Sequence, residues 1–181
     1  MVAVWAVAQD ATGNARNIAL AYGQAIGCGR AGLISSSFAE ESEADLFNEQ
    51  AVVWGAVPEL LIAGFETLTA AGVSPELAYL ECVGELKLLA DLIDRRGIAG
   101  MREAISNTAE LGAFLGGRRI IDESVRKRMA ELFDEVRNGR LAAELQKEHA
   151  NGYARLESSR AMARTSLIER VFERLRGFLI S

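Results

Sequence analysis

Only two prolines, Pro58 and Pro75, interrupt 181 residues in which Ala, Leu and Glu abound. Proline costs about 3 kcal/mol inside a helix, and those three residues are among the best helix formers. A chain of this kind can therefore be helical nearly throughout. Both prolines suit first-turn positions, where the missing N–H has no partner to lose. Ser74 is the expected N-cap before Pro75, with Glu76 and Leu77 following. The stops fall to glycine.

Read along the chain, Val, Trp and Val alternate with Ala over residues 2–7, which predicts a brief strand. The polar run Asp10 to Asn14 offers caps for a helix from about Ala15 to Ile26. Ser35-Ser36-Ser37 reads as a loop, and a second helix starts near Glu40 to Ser42. A third runs from Pro58 to about Ala71, and a long fourth from Pro75 to about Asp94, closed by Gly97. A short helix near 98–103 follows. Ser106 caps the next, to about Leu115, with Gly116-Gly117 as a loop. Asp122 or Ser124 opens a helix to Asn138-Gly139, and Arg140 to Ala150 is helical. After a turn at Asn151-Gly152, amphipathic stretches fill 153–163 and 166–179.

Half of the residues are hydrophobic and a quarter charged, the balance of a globular domain. Net charge is −5 and the pI about 5.1. Without a basic stripe to neutralise phosphates, nucleic acid is excluded as a partner. Cys28 and Cys82 lie far apart in apolar surroundings, which fits reduced thiols and a cytoplasmic protein. The apolar start lacks a basic leader and meets Gln9-Asp10 at once, so it is not expected to be a signal peptide. No run approaches the ~20 apolar residues of a membrane span, and no membrane partner is expected.

Gly27-Cys28-Gly29-Arg30-Ala31-Gly32 spells GxGxxG. That fingerprint binds a pyrophosphate only when a strand precedes it and a helix opens on it. Here a helical pattern precedes it, so it reads as a helix stop and tight turn.

Two pairs of acids stand out: Asp45 with Glu49, and Glu81 with Glu85. Residues four apart share a helix face. The same spacing at Glu131/Glu135, Glu144/Glu148 and Glu169/Glu173 falls among Arg and Lys and reads as solvated helix surface. Glu81 and Glu85 instead line up with Leu77, Leu88 and Leu92, and Asp45 and Glu49 with Val52 and Ala56. These acids lie on the apolar stripe, the face expected to be buried. Buried like charges cost several kcal/mol each without compensation. No basic residue occurs between Arg30 and Lys87, and Lys87 points to another face than Glu81 and Glu85. Either a hard divalent cation or a polar patch at a subunit interface accounts for the pattern. The lone histidine, His149, matches no Glu-x-x-His di-iron motif and reads as a surface residue. Oxygen-only ligation points to magnesium or manganese. No Ser–His–acid nucleophile or Walker lysine is present.

A series of ordered motifs adds to this. Gln9-Asp10-Ala11-Thr12-Gly13-Asn14-Ala15, Gly29-Arg30-Ala31-Gly32, Asp45-Leu46-Phe47-Asn48-Glu49-Gln50-Ala51-Val52, Ala63-Gly64-Phe65-Glu66-Thr67-Leu68, Glu81-Cys82 with Glu85-Leu86-Lys87-Leu88, and Ser106-Asn107-Thr108-Ala109-Glu110 follow one another. Together they resemble the C-terminal helical domain of ketol-acid reductoisomerase, from about residue 6 to the C-terminus. The resemblance implies an all-α, knotted helical domain spanning 1–181, interlocked with a second copy as a homodimer. It implies that Asp45 and Glu49 ligate magnesium, Asp45 bridging two Mg2+ ions. Glu81 and Glu85 would come from the partner subunit, Glu85 near the second metal and Glu81 near the substrate and metal waters. Ser106 would bind the substrate carboxylate, and Glu41 would stand behind the metals. The implied chemistry is alkyl migration in a 2-acetohydroxy acid and its NADPH-dependent reduction, in branched-chain amino-acid synthesis.

The departures are equally specific. The NADPH-binding Rossmann domain of the family is expected to be absent, with Met1 to Ala8 at the interdomain junction. Reduction would then need a Rossmann-domain partner in trans. Ala8 stands where the family has His, and Asn48 where it has Gly. Trp54 and Ala56 fall in the family's Cys-Gly-Gly, and Ser35-Ser36 replaces Glu-Thr. The competing expectations are a non-catalytic dimerisation module and a magnesium-dependent isomerase without reduction.

Overall fold

The computed structural model describes residues 2–179. These form two compact units, Met1–Gln50 and Ala51–Ser181.

In the first unit, strand β1 (Ala3–Trp5), helix α1 (Ala15–Ala25) and strand β2 (Leu33–Ser35) precede helix α2 (Phe38–Ala51). β1 and β2 pair in parallel, Ala3 opposite Leu33 and Trp5 opposite Ser35. A loop was expected at Ser35–Ser37. The strand forms because Ser36 N donates to Trp5 O at 3.0 Å and Ala3 N to Gly32 O at 3.1 Å, which extends the ladder past an apolar pair. α1 is the crossover helix that a parallel pair requires. Its start is held by Asp10, whose Oδ1 accepts from the backbone N–H of Thr12, Asn14 and Ala15. Its end is Gly27, at φ 90°, the left-handed geometry that a helix stop takes up in glycine. The glycine cluster thus closes a helix and leads into a strand, the reverse of the nucleotide-binding order. Gly23 brings α1 close to the sheet, since a Cβ there would stand 2.8 Å from Leu33 Cδ2.

The second unit is helical: α3 (Ala56–Ala70), α4 (Pro75–Tyr79), a π turn (Leu80–Gly84), α5 (Leu86–Glu103), α6 (Asn107–Ile120), α7 (Glu123–Arg137), α8 (Arg140–Ala150), α9 (Ala154–Thr165) and α10 (Leu167–Leu179). Its core joins distant parts of the sequence. Phe65 of α3, Ala78 and Tyr79 of α4 and Val171 of α10 are buried together, with Leu68, Cys82, Val83, Ile168, Phe172 and Leu175 packed around them. Arg174 of α10 donates to Glu76 Oε1 from both Nε (3.0 Å) and Nη2 (2.7 Å), pinning the same two helices at their rim.

Three local expectations change and one, at Gly97, holds. The long helix from Pro75 is interrupted by the π turn, which holds one residue more than an α turn would. Ser74 stands at the N-cap position, but its side chain makes no capping bond. Gly97 breaks α5, at φ 66° and ψ 178°, as the end expected there. Gly116-Gly117 does not form a loop: α6 runs through both to Ile120, since two glycines lower helix stability by about 1 kcal/mol each without forbidding the conformation.

The C-terminal acids are ion-paired along their helices, as in Lys127–Glu131 and Lys147–Glu144. Glu148 is the exception to a solvated face. It is 5% exposed, and its Oε1 accepts from Arg155 N at 2.7 Å and Leu156 N at 3.4 Å. Its Oε2 takes the Arg155 guanidinium. The carboxylate so caps α9 from the preceding helix, and Tyr153 bridges the two at φ 61°.

Much apolar side chain stays open. Trp54 is 71% exposed and Leu88 59%, and Leu111, Phe114, Leu115 and Ile120 of α6 are also exposed. The accessible surface is 13623 Å². By length and composition, one helical stretch, Phe38–Ala70, reaches what a bilayer crossing needs, with a mean hydropathy of 1.4 over its window. No such run was expected from the sequence. The buried Phe65 of the core lies within it.

Candidate metal and substrate site

α2 carries Glu41, Asp45 and Glu49. Glu40 and Glu41 occupy its first turn, where acids complement the helix dipole. The helix begins at Phe38, two residues before the expected start, because Ser37 Oγ accepts from Glu40 N at 3.1 Å and caps it. Glu41, Asp45 and Glu49 are all exposed.

Glu81 sits in the π turn and Glu85 immediately after it, at the N-cap of α5. Both are exposed. The apolar stripes that carry the two pairs were expected to bury them. Within one chain they do not, because the stripes are themselves uncovered: Val52, Leu77 and Leu88 are exposed as well. The acids therefore stand on apolar faces with no protein over them.

None of these five carboxylates makes a side-chain hydrogen bond or ion pair among the described residues. Nor do any three His, Cys, Asp or Glu side chains among the described residues converge closely enough to hold a metal ion. One chain thus offers separate carboxylate pairs, each free of cationic partners. The donor set is oxygen-only and suits a hard divalent ion, which binds through one or two carboxylates and keeps its waters.

Ser106 caps α6, its Oγ accepting from Ala109 N at 3.2 Å. The capping bond uses a lone pair, so the hydroxyl proton remains free to donate, at a helix end whose dipole favours an anion. Cys82, between the two acids of its segment, is a free, half-buried thiol. Burial pushes its pKa up, and the Glu81 charge adds to that, so it packs as a neutral thiol and is a poor nucleophile. His149 is exposed and stacks edge-on against Tyr153 at 5.6 Å. A groove of about 450 Å³ opens beside the π turn, lined by Leu61, Phe65, Tyr79, Val83 and Ile168 among others. None of the five acids lines it.

Residues 38–179 match the model of the ketol-acid reductoisomerase C-terminal domain. The chain belongs to the ketol-acid reductoisomerase family. Residues 1–32 match the NADPH-binding domain model of the acetohydroxy acid isomeroreductases. The two models meet between residues 32 and 38, beyond the junction expected at Met1 to Ala8, so β1, α1 and the glycine cluster fall on the nucleotide-domain side. All five acids and Ser106 fall in the C-terminal domain.

Among ketol-acid reductoisomerases, the NADP(+) enzyme of Sulfurimonas denitrificans is 48% identical over 174 residues, covering 96% of this chain and 52% of the relative. That of Campylobacter hominis is 45% identical, covering 96% and 51%. A solved NADH-preferring ketol-acid reductoisomerase from an uncultured archaeon superposes with a TM-score of 0.91 at 41% identity, over 96% of this chain and 53% of that one. The chain spans about half the length of the curated relatives it matches. The helical fold expected from the resemblance is thus the family's C-terminal domain.

Proposed function

We propose that this chain is the magnesium- and substrate-binding, dimer-forming half of a ketol-acid reductoisomerase acting on 2-acetohydroxy acids in the cytoplasm. The observation that carries the reading is the set of unpartnered carboxylates, Glu41, Asp45, Glu49, Glu81 and Glu85, on exposed apolar faces of a chain from this family. Uncovered faces of this extent call for a second copy, and an interlocked homodimer would bring the α2 acids of one chain to Glu81 and Glu85 of the other.

Asp45 and Glu49 would hold the magnesium ions, with Glu85 supplying a further carboxylate to them. Glu81 would accept a hydrogen bond from the substrate hydroxyl, and Glu41 would add negative charge one turn before Asp45 on α2. Ser106 donates its free hydroxyl proton to the substrate carboxylate. When bound, the ions supply Lewis-acid polarisation of the substrate oxygens for alkyl migration. Reduction would draw on a nicotinamide nucleotide, whose binding-domain model matches residues 1–32.

Calorimetric titration of Mg2+ into residues 1–181, with and without a substrate analogue, tests the reading. Glu49→Gln should abolish or weaken binding at least tenfold, the scale of losing a ligand's support or more. The native chain should sediment as a dimer and should not oxidise NADPH alone. A dimer that takes no Mg2+ would leave a non-catalytic dimerisation module. A stable monomer would refute interlocking.

A further inference from the structure

Gly64 lies along α3 against the π turn. A Cβ built there would stand 3.2 Å from Cys82 Sγ and 4.0 Å from Cys82 Cβ, close enough that the turn would have to give by a few tenths of an ångström. Cys82 has little room to yield. It packs against the core cluster of Phe65, Ala78, Tyr79 and Val171, whose buried members are fixed by close packing. The same segment carries the exposed carboxylates of Glu81 and, one residue past the turn, Glu85. Cys82 shares a peptide with Glu81, so a displaced Cys82 carries Glu81 with it.

We propose that Gly64 and Cys82 are positioning residues for the Glu81 and Glu85 carboxylates. The bare backbone at Gly64 is the stop against which the thiol seats the π turn, and the seat sets where both acids stand. This inference rests on the magnesium site proposed above. It gives glycine a use at a helical position where no positive φ calls for one. π turns of this kind recur at functional sites, where the extra residue re-aims side chains.

The test uses the full chain with Mg2+ alone as the probe, at one protein concentration, with helicity and sedimentation checked for each variant. Gly64→Ala should weaken Mg2+ binding about tenfold or more, the usual cost of disturbing a supporting residue. Gly64→Ala/Cys82→Ala removes the sulfur that the new methyl meets and should recover most of that loss. Cys82→Val adds bulk from the other side and should also weaken binding, so the contact stays testable if Gly64→Ala does not fold. A merely structural contact would lower Tm and leave Mg2+ affinity of the folded variants unchanged; that result overturns the proposal, as does a double variant no better than Gly64→Ala. A native chain that binds no Mg2+ overturns the metal site itself, and this inference with it.

Discussion

Val171→Ala is the sharpest test of how the second unit holds together. Val171 is fully buried, at 0% exposure, between Phe65, Ala78 and Tyr79. The substitution deletes two methyl groups. At about 0.8 kcal/mol each, their transfer to water costs about 1.6 kcal/mol. The core can close only partly over the gap, and the residual cavity brings the total to about 2–3 kcal/mol. In a chain of this length each kcal/mol shifts Tm by about 2–4 °C, so a fall of about 4–12 °C is expected. Urea denaturation followed by circular dichroism should show a lower midpoint at unchanged slope. Protein concentration must be matched, because association adds to apparent stability. A change below about 0.5 kcal/mol, the range of surface substitutions, would refute the claim that α10 completes the core.

Three further outcomes follow from local geometry. Gly97→Ala forces a β-carbon into φ 66°, ψ 178° and should cost about 1–3 kcal/mol by the same denaturation assay; the open space around it leaves backbone strain as the cause. Ser106→Ala removes the bond to Ala109 N and should cost about 1 kcal/mol, while substrate-analogue affinity, read by calorimetry, falls separately. Glu148→Gln should lower Tm at neutral pH. The Arg155 guanidinium and the backbone N–H groups of Arg155 and Leu156 hold the Glu148 carboxyl below its usual 4.5, so its contribution is complete above that value and lost as pH falls through the lower, folded one. The Tm gap between variant and native protein should therefore narrow only below about pH 4.5.

Helix content was readable because proline is nearly absent and Asp122, Ser106 and Gly139 punctuate the chain where caps and stops are needed. β2 escaped notice because a three-residue strand has too short a period to separate from a loop, and its partner lies thirty residues earlier. The π turn is invisible to a search at one helical period. The acids of the candidate site could be singled out from their apolar neighbours, but the burial expected of them depends on surfaces a single chain does not cover. Glu148 was assigned to a solvated face because Lys147 and Arg155 flank it in sequence; what distinguishes it is the sharp turn at Tyr153, which folds α9's open N–H groups back onto it.

The π turn also acts as a phase shifter. An α-helix advances about 100° per residue; a π turn fits one more residue into about the same rotation, so each residue beyond it lies about that angle behind its place in an unbroken α-helix. The exposed stripe of α5, with Leu88, Leu89 and Ile93, faces its present direction because Leu80–Gly84 holds its extra member. Deleting a single residue there would let the turn close as ordinary α-helix and keep the stripe aimed as it is, whereas a deletion within α5 would turn everything beyond it by about 100°. The direction of the α5 stripe is therefore encoded as much by a count as by composition, and a one-residue deletion should disturb it more within Leu86–Ile93 than in the π turn.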